Sequence, residues 1–270
     1  MKPPSFVYHA PATVAEAVEA LAAAGADGKV LAGGQSLIPL MNMRLAAPGQ
    51  LVDINHVAGL GEITAEAGGV RVGALARHAE VEASETAFAA QPLVRRALRL
   101  VAHPAVRNRG TTVGSIVHAD PAAEMPAVLA LLGGSVRARG PEGERDIPAA
   151  EFFTGPMESS LRTGELAVSA FFPSTAGGTA IVEVARRHGD YAMAGVAALV
   201  GPDHARVACL SVGAVPVVVD VTEAQGDWAR AARLVQERIE PEADIHATAD
   251  YRRHLTGVLA ERALKEAADA

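Results

Sequence analysis

The segment Ala32-Gly33-Gly34-Gln35-Ser36 decides how the rest of this sequence is interpreted. The apolar pair Val30-Leu31 precedes it and the apolar run 37–40 follows it, which is typical of a turn between a strand and a helix. Glycine lets a backbone turn sharply and approach a ligand closely, because no Cβ stands in the way. We call residues 32–36 the first glycine loop.

A second stretch of similar composition, Gly110-Thr111-Thr112-Val113-Gly114-Ser115, is the second glycine loop. Successive amides in such turns form a concavity that favours anions, and Ser and Thr add hydroxyl donors. Two such loops facing one another are suited to the two phosphates of a dinucleotide. Each loop is equally consistent with an ordinary turn that binds nothing, and their spacing does not name a ligand.

Composition narrows the classes of protein that the sequence allows. The chain has 270 residues, of which 50% are hydrophobic and 20% charged, as expected of a soluble globular protein with one or two domains. The net charge of −7, with acidic and basic residues interspersed, disfavours a nucleic-acid surface. No apolar run reaches the roughly 18–20 residues of a membrane span, and the N-terminus lacks the apolar core of a secretory signal, so we expect a cytoplasmic protein.

Several chemistries lack their sequence motifs here. The single cysteine, Cys209, rules out an internal disulfide and a cysteine-held iron–sulfur cluster on this chain. There is no G-x-G-x-x-G opening a helix, no P-loop, no G-x-S-x-G and no H-E-x-x-H. We therefore predict a protein that binds a ligand, with no catalytic side chains and no metal ligands of its own.

The order of elements predicts an α+β fold in both halves of the chain. Thr13 and Glu16 form a capping box ahead of an apolar stripe with helical spacing. The segment 173–178 is the best candidate for a domain boundary. Uninterrupted strand-like runs follow it between residues 179 and 219, which predicts an antiparallel sheet, and two helices close the chain.

At the two glycine loops the sequence resembles the FAD-binding medium subunit of the molybdenum hydroxylases, the xanthine dehydrogenase and carbon monoxide dehydrogenase family. The resemblance extends over nearly the whole chain. The segments that carry it are Ala32-Gly33-Gly34-Gln35-Ser36-Leu37-Ile38-Pro39, Arg44-Leu45, Leu51-Val52-Asp53-Ile54, residues 111–115, His118-Ala119-Asp120-Pro121-Ala122-Ala123-Glu124-Met125-Pro126, Phe152-Phe153-Thr154-Gly155, Gly164-Glu165-Leu166 and Ala185-Arg186-Arg187-His188-Gly189-Asp190-Tyr191-Ala192.

The resemblance implies an architecture and a set of partners. It implies a two-subdomain FAD-binding domain of the vanillyl-alcohol-oxidase-like (PCMH) type at 1–176, with subdomains of about 1–60 and 61–176. A small α+β domain with an antiparallel sheet would occupy 177–270. The partners would be a large molybdopterin subunit and a small subunit with [2Fe–2S] clusters, in a dimer of heterotrimers. FAD on this chain would pass electrons to an external acceptor.

The resemblance also implies which residues contact FAD. The first loop would hold the diphosphate, the second would form the opposing wall, Asp120 and Glu124 would lie near the ribityl or flavin portion, and Tyr191 would pack by the isoalloxazine ring. The full candidate set is Ala32, Gly33, Gly34, Gln35, Ser36, Leu37, Thr111, Thr112, Val113, Gly114, Ser115, Asp120, Glu124, Leu166 and Tyr191. A branched side chain at Gly34 is expected to occupy the space of the diphosphate.

Two departures from the family pattern leave alternatives open. Thr112-Val113 replaces the usual Ile-Gly, and because Val113 cannot adopt a positive φ cheaply, the loop must turn elsewhere or bind less closely. Glu183 falls where some members of the family have a lysine. The alternatives are a scaffold subunit that has lost FAD and a free-standing flavin oxidase of related fold. The substrate and the final electron acceptor are not encoded here.

Overall fold

The computed structural model describes residues 2–270. The N-terminal part contains a three-stranded parallel sheet in the order β1-β3-β2, with two helices. Its elements are β1 (Val7–His9), α1 (Val14–Ala24), β2 (Gly28–Leu31), α2 (Leu37–Asn42) and β3 (Gln50–Asp53). The predicted capping box opens α1, since the Glu16 amide donates to the Thr13 hydroxyl (3.2 Å) and the Thr13 amide donates to the Glu16 carboxylate (3.1 Å).

The middle part is built on a second, antiparallel sheet in the order β4-β5-β10-β6-β7. Its strands are β4 (Ile63–Glu66), β5 (Gly69–Gly73), β6 (Ser135–Gly140), β7 (Gly143–Pro148) and β10 (Leu166–Pro173), and a small hairpin pairs β8 (Phe153–Gly155) with β9 (Glu158–Ser159). Its helices are α3 (His78–Ala83), α4 (Glu85–Ala90), α5 (Pro92–Leu98), α6 (Pro104–Arg107), α7 (Thr112–His118), α8 (Glu124–Leu132) and α9 (Ala149–Phe152).

The C-terminal part has the predicted antiparallel sheet, and its strands pair in sequence order. Its elements are β11 (Gly178–Ala185), β12 (Ala192–Val200), β13 (Ala205–Leu210), β14 (Val217–Asp220), α10 (Trp228–Arg238) and α11 (Ala249–Ala268). The α+β fold with a small antiparallel C-terminal sheet is therefore confirmed.

Both faces of the C-terminal sheet are buried. Val196 and Val207 face one apolar cluster together with the helices α10 and α11. Leu199 and Leu210 face the other way and join the cluster that fills the first two parts of the molecule. Burial on both sides explains why β12 is an almost continuous apolar run with no polar alternation.

Helix α8 lies at the centre of this arrangement. It packs against α5 and α7 on one side and against the C-terminal strands β12 and β13 on the other. Eight of its residues are buried. Because Glu124 begins this helix and Asp120 lies just before it, the packing of α8 brings the two acidic candidates to the junction between the middle part and the C-terminal sheet. No helix within residues 2–270 has the length and apolar character needed to cross a membrane.

Candidate cofactor site

The first glycine loop joins the end of β2 to the start of α2. Gly34 adopts φ +72°, which turns the chain, and its carbonyl accepts a hydrogen bond from the Ile38 amide (3.1 Å). Gln35 is exposed and its side chain donates to the Gly33 carbonyl (3.2 Å). The Ser36 side chain makes no capping hydrogen bond to α2, and Leu37 is half-buried as the first residue of that helix. The turn thus leaves the Ser36 hydroxyl uncommitted.

The second glycine loop is the beginning of α7 and follows another helix, so it is not a strand-to-helix turn. The Thr111 hydroxyl accepts from the Gly114 amide (3.1 Å) and caps α7. The Thr112 hydroxyl lies 3.2 Å from Nδ1 of the buried His78. Val113 is helical and 1% exposed, so it needs no positive φ. The chain turns ahead of Val113, which is the first of the two possibilities that the sequence left open.

Access differs among the residues of this loop. Thr111, Thr112 and Val113 are buried, at 3%, 0% and 1% exposed, so their side chains are closed to a ligand in this conformation. Gly114 and Ser115 are half-buried and reach the surface. Thr111 and Thr112 therefore shape the loop, while Gly114 and Ser115 present its accessible backbone.

The two loops meet through direct backbone contact at Gly33. A Cβ added at Gly33 would lie 2.4 Å from the Arg109 carbonyl oxygen and 2.8 Å from the Gly110 Cα, so only glycine allows this approach. Gly34 behaves differently: a Cβ there would meet the side chains of Ile38 and Leu31 at 3.1 and 3.2 Å. A branched residue at Gly34 would thus press on the apolar contacts of the turn itself, and the expectation that it fills ligand space stays a prediction.

Two side chains that the sequence did not single out tie the loops together. Asn55 Nδ2 donates to the Ala32 carbonyl (2.8 Å), and Arg77 Nη2 donates to Asn55 Oδ1 (2.6 Å). Arg77 Nη1 donates to the Arg109 carbonyl (2.6 Å). Asn55 follows β3, the neighbour of β2, and the carboxyl ends of adjacent parallel strands are where α/β sheets build sites. That rule could have indicated Asn55, whereas no local pattern indicates Arg77.

Asp53 and Tyr8 support this bridge. The Asp53 carboxylate accepts from the Asn55 amide (2.9 Å), from Asn55 Nδ2 (2.6 Å) and from the Tyr8 hydroxyl (2.6 Å). Burial alone would raise the pKa of Asp53, but these hydrogen bonds outweigh it and hold the pKa below its ordinary value. The carboxylate is therefore ionised at neutral pH and keeps Asn55 in one orientation.

The backbone beside Arg77 also pairs with the second loop. The His78 amide donates to the Gly110 carbonyl (2.9 Å), and the Thr112 amide donates to the Ala76 carbonyl (3.2 Å). Burial, with the nearby positive charge of Arg107, lowers the pKa of His78 to about 4. His78 is consequently neutral at physiological pH and serves as a fixed hydrogen-bonding partner of Thr112.

Asp120, Glu124 and Tyr191 come together at the junction with the C-terminal sheet. Asp120 accepts from the Ala122 amide (2.9 Å), and Glu124 is 9% exposed. Burial, helped by the charge of Asp120, raises the pKa of Glu124 to about 7. The Tyr191 residue as a whole is 64% exposed. Burial around its hydroxyl group, and then the charges of Asp120 and Glu124, raise its pKa. A pH-sensitive acidic group therefore lies next to an accessible aromatic ring.

Glu183 on β11 adds a third carboxyl group to this region. Burial, and then the charge of Glu124, raise the pKa of Glu183 to about 8. Its Oε2 atom is buried without a hydrogen-bond partner among residues 2–270. Position 183 therefore carries an acid where some family members have a lysine. The proximity of Glu124 and Glu183 favours at least one protonated carboxyl group at neutral pH.

A hydrogen-bond network around Ser211 joins the two sides of this junction. The Ser211 amide donates to the Pro121 carbonyl (2.8 Å) and its hydroxyl donates to the Ala192 carbonyl (2.6 Å). Arg252 Nη1, on α11, donates to the Ser211 carbonyl (3.1 Å). Pro121 follows Asp120 and Ala192 follows Tyr191, so Ser211 fixes the chain next to both candidates.

Leu166, the remaining candidate, has a less direct relation to the two loops. It is 2% exposed at the start of β10, a strand that packs against α7, so its side chain is closed to a ligand in this conformation. Two surface cavities, of about 500 and 460 Å³, lie elsewhere, and residues of the glycine loops line neither of them. Within residues 2–270 no group of three or more His, Cys, Asp and Glu side chains could hold a metal ion.

Known families and relatives match nearly the whole chain. The family described as "FAD binding domain in molybdopterin dehydrogenase" matches residues 4–175, and "CO dehydrogenase flavoprotein C-terminal domain" matches 179–267. The chain is 40% identical to the 6-hydroxypseudooxynicotine dehydrogenase complex subunit alpha of Paenarthrobacter nicotinovorans, covering 99% of this chain and 96% of that one. It is 36% identical to the caffeine dehydrogenase subunit beta of Pseudomonas sp. (strain CBB1), covering 100% and 97%.

A solved structure gives the same result for the fold. A chain of the carbon monoxide dehydrogenase from Hydrogenophaga pseudoflava superimposes with a TM-score of 0.94 at 36% identity, covering 99% of this chain and 98% of that one. The full-length matches confirm the family that the glycine-loop motifs indicated. This chain belongs to the FAD-binding medium subunits of the molybdenum hydroxylases, the carbon monoxide dehydrogenase family.

Proposed function

We propose that this chain is the electron-transfer subunit of a heteromeric molybdenum hydroxylase, taking electrons from [2Fe–2S] clusters of a partner subunit onto FAD and passing them to an external acceptor. The observation that supports this most directly is the backbone contact of Gly33 with residues 109 and 110, which joins the two predicted diphosphate loops. The cofactor supplies the redox chemistry, and the chain supplies binding, orientation and electrostatics.

Each part of the site has a role in this proposal. The loop 32–36 with Leu37 and the accessible Gly114 and Ser115 hold the diphosphate, with Thr111, Thr112 and Val113 fixing the second loop from beneath. Asp120 and Glu124 face the ribityl or flavin portion, Leu166 offers backbone contact, and Tyr191 packs by the ring. The exposed face of Tyr191 is compatible with that last role. The FAD-binding domain would span 1–176 and the C-terminal domain 177–270.

The proposed role requires partner subunits that carry the other redox centres. We propose a large molybdopterin subunit and a small [2Fe–2S] subunit, assembled as a dimer of heterotrimers. The chain's one cysteine, Cys209, is buried, so electrons must come from clusters held elsewhere. A free cysteine also suits the reducing cytoplasm, where we place the complex. The relatives are named for substrates as different as caffeine and carbon monoxide, which supports a substrate site on another chain.

The flavin-free scaffold is the less favoured alternative. It rested on Val113, whose side chain is 1% exposed in the core and occupies no space between the loops. The free-standing oxidase differs from our proposal in its partners, so composition of the purified material separates the two.

The test is to purify the chain under mild conditions from cells that express its neighbouring genes. We expect one FAD per chain by absorption and by release of free FAD, together with molybdenum and iron in copurified subunits. A colourless chain that added FAD does not reconstitute would contradict the proposal in favour of the scaffold. A yellow chain that purifies alone and reduces oxygen with its own substrate would favour the oxidase.

A further inference from the structure

Arg77 and Asn55 form a continuous link between the two glycine loops. The link runs from the Ala32 carbonyl through the Asn55 amide and the Arg77 guanidinium to the Arg109 carbonyl, by hydrogen bonds of 2.8, 2.6 and 2.6 Å. Its two ends are the main-chain atoms adjoining the contact between Gly33 and residues 109 and 110. The link therefore spans the point at which the loops touch.

Both halves of the link are held rigidly. Asn55 is oriented by three hydrogen bonds, one to Ala32 and two to the Asp53 carboxylate. The backbone at Arg77 pairs with Thr111, and the Arg77 amide donates to the Glu80 carboxylate (2.8 Å). Because neither residue is free to change rotamer without losing several bonds, the separation of the loops is fixed before any ligand arrives.

The two arginines at the link, Arg77 and Arg109, lack ion-pair partners in the part of the chain that the structure describes. Among residues 2–270, neither Arg77 nor Arg109 forms an ion pair, whereas Arg71, Arg95 and Arg107 each have a carboxylate partner. Burial, and then repulsion by the charge of Arg109, outweigh the attraction of the Glu80 and Asp53 carboxylates and lower the pKa of Arg77. A dianionic group at the loops would relieve this repulsion.

The inference rests on the function proposed above. We propose that Arg77 and Asn55 are positioning residues that set the spacing and the positive potential of the two loops, so that the affinity for the diphosphate of FAD depends on them. Their contribution is specific to the diphosphate: a ligand that lacks it gains little from the link. A link that only stabilised the fold would affect every part of the ligand equally.

The experiment compares Arg77→Met, Arg77→Lys and Asn55→Ala with the wild-type chain, each purified with its copurifying subunits and freed of bound flavin. Binding of FAD, ADP and AMP is measured by titration at two salt concentrations. We expect the dissociation constants for FAD and ADP to rise roughly tenfold in all three variants, as for the loss of a hydrogen bond to a charged group, and that for AMP to change less than threefold. In Arg77→Met the salt dependence of FAD binding should also decrease, because one cation is lost.

Arg137→Met is the matched control. Arg137 lies on β6, pairs with Asp146 through two hydrogen bonds of 2.9 Å and contacts neither loop. The control should bind all three ligands as the wild type does. If Arg77→Met does not fold, Asn55→Ala and Arg77→Lys provide the same comparison.

Each contrary result would overturn a different part of the proposal. Unchanged FAD and ADP affinity in folded Asn55→Ala and Arg77→Lys would overturn the positioning role and leave the proposed function standing. An equal loss for AMP and ADP would overturn the diphosphate specificity. A wild-type chain that takes up neither FAD nor ADP would overturn the proposed function itself, and the positioning role with it.

Discussion

Gly33 is the residue on which the contact of the two loops depends, because its Cα lies directly against the backbone of the second loop. In Gly33→Ala the new Cβ would meet the Arg109 carbonyl at 2.4 Å, and backbone atoms cannot move aside as a flexible side chain does. We expect a loss of about 1–3 kcal/mol in the free energy of unfolding and a several-fold loss of bound FAD. The measurements are denaturant titration and FAD content.

Gly61→Ala is the control for this change. A Cβ at Gly61 meets nothing within 4 Å, and its φ is not in the left-handed region, so neither stability nor FAD content should fall. Wild-type FAD content in Gly33→Ala would contradict the importance of the loop contact.

Glu124 makes the stability of the protein depend on pH. Its pKa is raised from 4.5 to about 7, so between these values the native state binds more protons than the unfolded state, and stability falls as pH rises. Below pH 4.5 the penalty is absent, and above pH 7 it is complete, at up to about 3 kcal/mol. We expect Glu124→Gln to be more stable than the wild type at pH 8 and to lose this advantage at pH 4.5.

Urea unfolding at pH 4.5, 6 and 8 measures this effect. The exposed Glu158 provides the control, since Glu158→Gln should leave the pH profile of the wild type unchanged. Glu183 shares the effect through its charge coupling to Glu124, so the double variant should gain less than the sum of the two single variants. A profile in Glu124→Gln that is parallel to that of the wild type would show that folding does not raise the pKa of Glu124.

At the scale of elements, the sequence predicted the helices and strands that depend on neighbouring residues alone. The capping box of Thr13 and Glu16 placed the start of α1, and the uninterrupted apolar runs placed the C-terminal sheet. Residues 78–98 form three helices, α3, α4 and α5, because Ser84 caps a new helix and Pro92 holds Gln91 in an extended conformation. Serine and proline carry that information in the sequence, but periodicity alone does not reveal it.

The candidate site was less predictable from sequence because its geometry depends on long-range contacts. The glycine loops were identifiable from composition and resemblance, but the second proved to be a helix start with two buried threonines. Arg77 reaches Asn55 and Arg109 across 22 and 32 residues of sequence, and nothing near Arg77 signals those partners. Only the folded chain shows that side chains outside both motifs bridge the two loops.

The turn after β13 is the element that connects Tyr191 to Asp120. Ser211 adopts φ +65°, which strains a residue with a Cβ, and its amide and hydroxyl bond to Pro121 and Ala192. Ser211→Ala keeps the strain and loses the hydroxyl bond, for which we expect about 1 kcal/mol of lost stability. Hydrogen exchange should accelerate in peptides covering Tyr191 and Asp120, and remain unchanged in α1.

Ser211→Gly provides the comparison. It removes the same hydroxyl but relieves the positive φ, so its global stability should exceed that of Ser211→Ala while the local exchange is equally fast. Exchange at Tyr191 that matches the wild type in both variants would show that the hydroxyl does not hold this junction.

At the scale of the whole molecule, the two family segments share one apolar core. Leu199 and Leu210 from the C-terminal sheet belong to the same cluster as Leu93 and Leu129 of α5 and α8. The opposite face of the sheet forms the second cluster, with Val207 and the closing helices. The C-terminal sheet is therefore one layer that packs against both clusters. Loss of packing in either cluster would expose one face of this sheet or the face of α8 that packs on it.

We therefore expect the chain to unfold in one cooperative transition, although its length alone would allow two. Leu129→Ala and Val207→Ala remove side chains that are fully buried in different clusters, and the first should cost about 2–5 kcal/mol. Both variants should lower the midpoint of the same calorimetric transition, and residues 1–176 expressed alone should expose apolar surface and bind a hydrophobic dye. Two resolved transitions, with each variant shifting only one of them, would show that the sheet is a separate folding unit and that the shared core adds little to stability.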